Sequence, residues 1–363
     1  MRLGVGAALV DGELVTGDVE VVDGRLERIG LSGTPGRGLV IPGLVDIQVN
    51  GYAGIDFLAA DSAGYRVAGE ALLAAGVTAF QPTLITSAEE VLVAALKEVP
   101  ASAGGARVIG AHLEGPFLSP LQIGAHPQSQ RRDPDQALLE RLLAAGPVSM
   151  MTLAPELPGA LELIDLLRAH RVVVSGGHTN ATADEAERAF ERGMLTLTHL
   201  FNAMRPFQPR DPGIAGAALG RADVALGLIV DGHHLAPQTV QLVWRAAAGR
   251  VALVTDAMAG AGMGDGKYEL GGTEIEVRDG AARLPDGVLA GSVLSMPQAV
   301  RNLASLGVPL AAALDAATAV PARIVGRPDL GRLAVGERAD LVVLDDELEV
   351  QRVLLAESGD VAD

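Results

Sequence analysis

The chain has 363 residues, 49% of them hydrophobic, with no cysteine and a formal net charge of −17. Without cysteine there are no disulfides and no thiolate ligands, so any metal must be held by His, Asp, Glu or water. The charge argues against nucleic acid or an anionic membrane as a partner, and it opposes the approach of any phosphorylated ligand. No apolar run approaches the ~20 residues that cross a bilayer. The opening Met1-Arg2-Leu3-Gly4, soon followed by Asp11 and Glu13, lacks a signal-peptide pattern, and the expectation is a cytoplasmic protein.

Residues 1–40 read as short strands with tight turns, and 18–22 and 25–29 flank Asp23-Gly24, a strong hairpin signal. From Leu39 onward strand and helix patterns alternate. Eight strands are predicted to begin near Leu44, Val77, Val108, Met150, Val172, Leu195, Val224 and Val251. Between them lie amphipathic Ala/Leu-rich stretches such as 88–97, 136–145 and 183–192, with Ser87 and Thr182 as candidate helix N-caps. Eight βα units predict an α/β fold, a TIM-type (β/α)8 barrel of roughly 250 residues. Near 267–290 the pattern breaks: 275–278 and 282–284 surround Asp279-Gly280 and predict an inserted β-hairpin. Helical runs at 296–306 and 310–319 follow, and then strand patterns at 331–333 and 340–345. Two strand-rich ends predict one composite β-sandwich domain from residues 1–40 and 331–363, around a barrel at 41–330.

The candidate site lies where predicted strands end. The apolar run 108–111 reads as a buried parallel strand, because it is continuous and not alternating. It delivers Glu114 just before Gly115-Pro116 stops it. In the same way 172–177 runs into His178, 195–198 into His199 and 251–255 into Asp256. The carboxyl ends of barrel strands are where active sites form. Glu plus two His, with one open position, suits a hydrolytic metal. An Asp outside that set can act as general base. Taken alone, a His at a strand end is more often a hydrogen-bonded structural residue, and a Glu before Gly-Pro can simply cap a turn. The joint arrangement carries the reading.

With these motifs the chain resembles the N-acetylglucosamine-6-phosphate deacetylases of the amidohydrolase superfamily. The resemblance rests on Pro42-Gly43-Leu44-Val45-Asp46-Ile47-Gln48-Val49-Asn50-Gly51, His112-Leu113-Glu114-Gly115-Pro116-Phe117, Gly177-His178-Thr179-Asn180-Ala181-Thr182 and Thr198-His199-Leu200-Phe201-Asn202-Ala203-Met204. It continues in Asp231-Gly232-His233-His234, Leu253-Val254-Thr255-Asp256-Ala257-Met258 and Leu289-Ala290-Gly291-Ser292, in the family's order and across nearly the whole chain.

The resemblance implies hydrolysis of N-acetylglucosamine-6-phosphate to glucosamine-6-phosphate and acetate, the alternative being an amidohydrolase that acts on another N-acyl amino sugar or amide. Many amidohydrolases carry His-x-His at the end of the first strand; here that slot is Gln48-Val49-Asn50, and neutral amides are weak ligands. The resemblance thus implies one divalent metal per subunit, zinc or ferrous iron, held by Glu114, His178 and His199. Asp256 is the implied general base and acid, with a role as metal ligand the alternative. Gln48 is a candidate contact to water or ligand, the alternative being ordinary hydrogen bonding at the barrel mouth. His126 and His234 match substrate-binding residues, the alternative for His126 being a surface-loop histidine. Arg210 matches the family's phosphate-contacting Arg, with pairing to Asp211 the alternative, and Asn202 and Ala203 offer an amide and a backbone N–H to the same group. His233 and His170 receive no role. The family's homo-oligomers, commonly dimers, make a homodimer or higher homo-oligomer the expected assembly, with a small amino sugar phosphate and no nucleic acid or membrane as partner.

Overall fold

Eight stretches of buried residues form the parallel strands of a barrel: β1 (Leu44–Val49), β2 (Val77–Ile85), β3 (Ala111–Glu114), β4 (Val148–Leu153), β5 (Val173–Gly176), β6 (Thr196–Leu197), β7 (Ala225–Leu228) and β8 (Val251–Leu253). The computed structural model describes residues 1–33, 36–337, 340–355 and 361–362. Every residue of β1 and β2 is buried. Burial on both faces is why these strands read as continuous apolar runs. Each strand pairs in parallel with the next, from β1 with β2 through β7 with β8. The ring closes where Asp256 N–H donates to Gln48 O at 2.9 Å and Asn50 N–H donates to Ala257 O at 2.7 Å. Closure therefore falls between the Gln48-Val49-Asn50 motif and the Asp256 motif.

The outer helices are α1 (Ser62–Ala74), α2 (Glu89–Glu98), α3 (Gln136–Ala145), α4 (Ala160–Ala169), α5 (Ala183–Arg192), α6 (Gly213–Gly220), α7 (Pro237–Ala247) and α8 (Met296–Ser305). Thr182 caps α5 in a reciprocal box: its hydroxyl accepts from Glu185 N–H, and Glu185 accepts from Thr182 N–H. The expected Ser87 cap is not made. Ala88 is the N-cap of α2 and has no side-chain hydrogen bond; Glu89 and Glu90 in the first turn complement the helix dipole instead.

Three other expectations are corrected. The run 108–111 is not one strand. Ala106–Val108 pairs along the lower part of β2 and β3 along its upper part, with Gly110 between them at φ 114°. A Cβ at Gly110 would sit 2.8 Å from Pro147 O, so glycine is required both by conformation and by the close approach of backbone. The insertion is a three-stranded antiparallel meander, Gly266–Leu270, Thr273–Arg278 and Ala281–Arg283, not a two-stranded hairpin. The run 310–319 is split into α9 (Leu310–Asp315) and α10 (Ala319–Ile324).

Both ends of the chain meet in one sheet. Ala7–Val10 pairs with Glu13–Thr16 and with Leu39–Pro42, and Leu39–Pro42 pairs antiparallel with Leu341–Leu344, which continues to Val350–Leu354. The hairpin Asp18–Val22/Arg25–Leu31 lies against it. Asp23 and Gly24 both have positive φ, as the tight turn requires. Val5, Ala8, Val19, Leu26, Val40 and Leu341 form a small core separate from that of the barrel. Among the described residues no helix is long and apolar enough to cross a membrane.

Candidate active site

The barrel interior below its carboxyl end is polar but satisfied. His112 Nδ1–H donates to Ile47 O at 3.2 Å, so Nε2 accepts from Thr152 Oγ1 at 2.7 Å. Thr198 then links Thr152 and Ser175, each hydroxyl pair at 2.6 Å. Burial drives the His112 pKa down to about 4, so the ring is neutral and serves as a strut.

Above this layer three groups converge. Glu114 Oε1 lies 3.2 Å from His178 Nε2 and 2.9 Å from His199 Nε2, and the two Nε2 atoms are 3.1 Å apart. All three side chains are buried, and their ligand atoms lie within 4.8 Å of one another. His178 Nδ1–H donates to Gln122 O at 3.0 Å, which aims its Nε2 at the cluster. Burial alone would lower the His199 pKa, yet Glu114 beside it lifts it to about 9; burial alone would raise that of Glu114, yet the two histidines hold it well below the carboxylate range. Both shifts mean that positive charge is stabilised between these atoms. A carboxylate oxygen and two imidazole nitrogens around one point fit a divalent cation such as zinc or ferrous iron.

His178, His199 and Asp256 each follow a strand and take left-handed backbone, at φ 47°, 31° and 50°. This sharp turn lifts each side chain over the barrel mouth, in a conformation sparsely populated by non-glycine residues. Asp256 is held by neutral amides: Asn50 Nδ2 donates to Oδ1 at 2.7 Å and Gln48 Nε2 donates to it at 3.1 Å, with a longer contact of 3.4 Å from Gln48 to Glu114. The Gln48-x-Asn50 slot thus turns N–H donors towards both carboxylates where a His-x-His would turn lone pairs. Burial, and next the charge of Glu114, raise the Asp256 pKa to about 6. A carboxylate so placed is ionised at neutral pH and close to the range in which a general base is effective.

These groups open into a cavity of about 560 Å³. His126 lines it, buried, its ring centroid 4.3 Å from that of His178. Thr86 N–H donates to His126 Nδ1 at 3.3 Å, which puts the ring proton on Nε2, and burial drives the pKa down to about 3. His126 is therefore a neutral donor and not a surface-loop residue. Its loop lies tight on the cluster: Gly124 has φ 59°, and a Cβ there would sit 3.1 Å from His178 Cε1. His234 also lines the cavity, its Nδ1 2.7 Å from Asp231 Oδ2. Against burial, that bond holds Asp231 down at about 2. His233 is exposed.

Asn202 and Ala203 line the cavity, but Asn202 Nδ2 is turned to His199 O and Leu200 O, at 3.2 and 3.3 Å. Ala203 has φ 48°. Its N–H makes no hydrogen bond among the described residues. Arg210 is exposed, outside the cavity lining of its own chain, and Asp211 pairs with Arg205 instead. Among the lining residues without a sequence-based role, Asn50 makes the barrel-mouth hydrogen bond that is the alternative to ligation for Gln48 and Asn50, and Arg283, on the insertion, has no signal beyond its place after the Asp279-Gly280 turn.

Fold and site are those of a hydrolase, and the comparisons agree. The amidohydrolase family model matches residues 39–362, and the chain belongs to that family. Within it the chain falls among the N-acetylglucosamine-6-phosphate deacetylases. The human enzyme of that name is 40% identical over 341 residues, covering 88% of this chain and 83% of the human protein. An N-acetylgalactosamine-6-phosphate deacetylase of Escherichia coli O157:H7 is 38% identical, covering 87% and 86%. A variant of N-acetyl-D-glucosamine-6-phosphate deacetylase from Mycobacterium smegmatis, solved in complex with N-acetyl-D-glucosamine-6-phosphate, aligns with a TM-score of 0.93 at 38% identity, covering 99% of this chain and 98% of that one.

Proposed function

We propose that the protein hydrolyses the N-acetyl group of N-acetylglucosamine-6-phosphate, releasing glucosamine-6-phosphate and acetate. The observation that carries this is the buried cluster of Glu114, His178 and His199 with Asp256 beside it, at the floor of a cavity large enough for a sugar phosphate. Glu114, His178 and His199 would hold one divalent ion, zinc or ferrous iron. When bound, that ion supplies a Lewis acid that lowers the pKa of a water and polarises a carbonyl.

The protein's own groups do the rest. Asp256, oriented by Asn50 and Gln48, takes the proton of the attacking water. His126 donates Nε2–H to the acetyl oxygen as negative charge develops there. Asp256 then returns its proton to the departing amine. Gln48 keeps the two carboxylates apart with its donated hydrogen bonds. His234, anchored by Asp231, and Asn202 and Ala203 hold the sugar phosphate; the unspent Ala203 N–H is the donor suited to a phosphoryl oxygen. Arg210 stands outside its own chain's cavity, so a phosphate contact from it requires a second copy, and the reading therefore includes a homodimer. A sugar phosphate is an anion that does not cross lipid unaided, which suits a cytoplasmic enzyme. As folding units we take 1–40 with 331–363, and 41–330; residues 34–35, 338–339, 356–360 and 363 of these spans lie outside the described ones.

The experiment is acetate release from N-acetylglucosamine-6-phosphate beside N-acetylglucosamine, with metal content measured. Fast turnover of only the phosphorylated sugar is expected. Equal turnover of both would discard the phosphate sites, and turnover of neither, with metal bound, would discard the substrate. The Escherichia coli O157:H7 relative supports a second reading, the galactosamine epimer. A higher kcat/KM on N-acetylgalactosamine-6-phosphate would select it.

A further inference from the structure

Among the described residues that line the cavity, Arg283 is the one arginine or lysine. It ends the last strand of the insertion and is bridged antiparallel to Leu289, with Ala290 N–H donating to Ala282 O at 3.1 Å. Leu289 and Gly291 line the same cavity. From there the chain is tied to the strand end that carries the proposed base. Ser292 N–H donates to Asp256 O at 2.8 Å, Met258 N–H donates to Ser292 O at 2.9 Å, and Ser292 Oγ donates to Thr255 O at 2.5 Å. The insertion therefore carries Arg283 on a hydrogen-bonded ladder that ends on the backbone of Asp256.

The guanidinium is largely unspent. Nη1 donates to Gly287 O at 2.8 Å, and no carboxylate pairs with Arg283 among the described residues. A guanidinium has five N–H donors, so most of the fork remains available. Arg283 is exposed, and a cation without a carboxylate partner at the edge of an acid-floored cavity, in a chain of net charge −17, is placed to receive an anion. Arg210, the other candidate, does not line the cavity of its own chain and would reach it only from a second copy.

We infer that Arg283 reads the phosphate of the substrate from within its own subunit, its fork meeting two phosphoryl oxygens while Nη1 stays anchored on Gly287. The inference rests on the amino-sugar-phosphate reading above. It makes the insertion a specificity element whose cation is set at a fixed span from the base, so that phosphate position and acetyl position are measured against each other. A charged, bidentate contact of this kind is worth about 10- to 100-fold in binding.

The test compares wild type, Arg283→Ala, Arg283→Lys and Arg210→Ala on N-acetylglucosamine-6-phosphate and N-acetylglucosamine, with inorganic phosphate as inhibitor. Arg283→Ala is expected to raise KM for the phosphorylated sugar about 10- to 100-fold with little change in kcat, and to lower the preference for phosphorylated over free sugar by the same factor. It is expected to weaken inhibition by inorganic phosphate in parallel, and Arg283→Lys should fall between it and wild type. Equal losses on both sugars with a lowered melting temperature would mean that Arg283 is only a strut for the 284–288 loop, and would overturn the inference. An unchanged KM in Arg283→Ala, with the loss confined to Arg210→Ala, would overturn it as well. A wild type that turns over neither sugar defeats the substrate reading and this inference together, whereas an active wild type with a silent Arg283→Ala defeats the inference alone.

Discussion

The four residues proposed to carry the chemistry share one placement: each lies at, or within three residues beyond, the carboxyl end of a short buried strand. That is why Glu114, His178, His199 and Asp256 were legible, since a strand-ending apolar run is a local signal. The groups that tune them were not. Asn50 and Gln48 meet Asp256 across more than 200 residues of chain, and which way an amide turns is decided by that encounter. Asp256→Asn is expected to keep its metal and lose about 10²- to 10⁴-fold in kcat, read by acetate release and metal analysis; retained turnover would remove Asp256 as the base. The left-handed backbone at Asp256 gives a second prediction. Asp256→Gly, equally inactive, should be more stable than Asp256→Ala by about 1 kcal/mol in thermal unfolding, because glycine adopts φ near 50° without a Cβ penalty. Equal stability would mean that the turn stores no strain.

At the scale of elements, what the chain signals locally was readable and what neighbours impose was not. The helices Gln136–Ala145 and Ala183–Arg192 carry their own caps, Asp135 and Thr182, and their limits follow from those residues. Thr182→Ala breaks both halves of the α5 box and should cost about 0.5–2 kcal/mol in thermal unfolding; no loss would show the box to be ornamental to stability. The break at Gly110 answers to Pro147, on the neighbouring strand's approach, and the glycine itself is its one trace in the run 108–111. The split between α9 and α10 was hidden by an even, Ala-rich composition; Pro321 sits in the first turn of α10, where its missing N–H is tolerated.

Charge and burial act on the molecule as a whole. With a net charge of −17, an anionic substrate approaches against a repulsive field that salt screens beyond ~10 Å at 0.1 M. Raising ionic strength from ~0.01 to ~0.15 M should therefore lower KM for the phosphorylated sugar and leave the neutral sugar unaffected; a rise in KM would mean that local cations dominate. Stability should also depend on pH through Asp46, which lies beneath the closure of the barrel and accepts from Thr255 Oγ1 and from the N–H groups of Gln48 and Thr255. Burial outweighs these bonds and pushes its pKa from 3.8 up to about 7. The folded state then keeps a proton that the unfolded chain has already lost, so this group's contribution falls as pH rises from about 4 to 7, by at most about 4 kcal/mol. The difference in melting temperature between wild type and Asp46→Asn should change over that window and be flat above it.

The antiparallel pairing of Leu39–Pro42 with Leu341–Leu344 has a consequence during synthesis. At ~5–20 residues per second, roughly 15–60 s separate the appearance of these two strands at the ribosome. For that interval Leu39–Pro42, all four residues destined for burial, presents an open hydrogen-bonding edge while the barrel forms behind it. The nascent chain is therefore most exposed to mispairing near its N-terminal end, and a message cut short before the codons for Leu341–Leu344 would yield a chain in which the edge of Leu39–Pro42 stays unpaired.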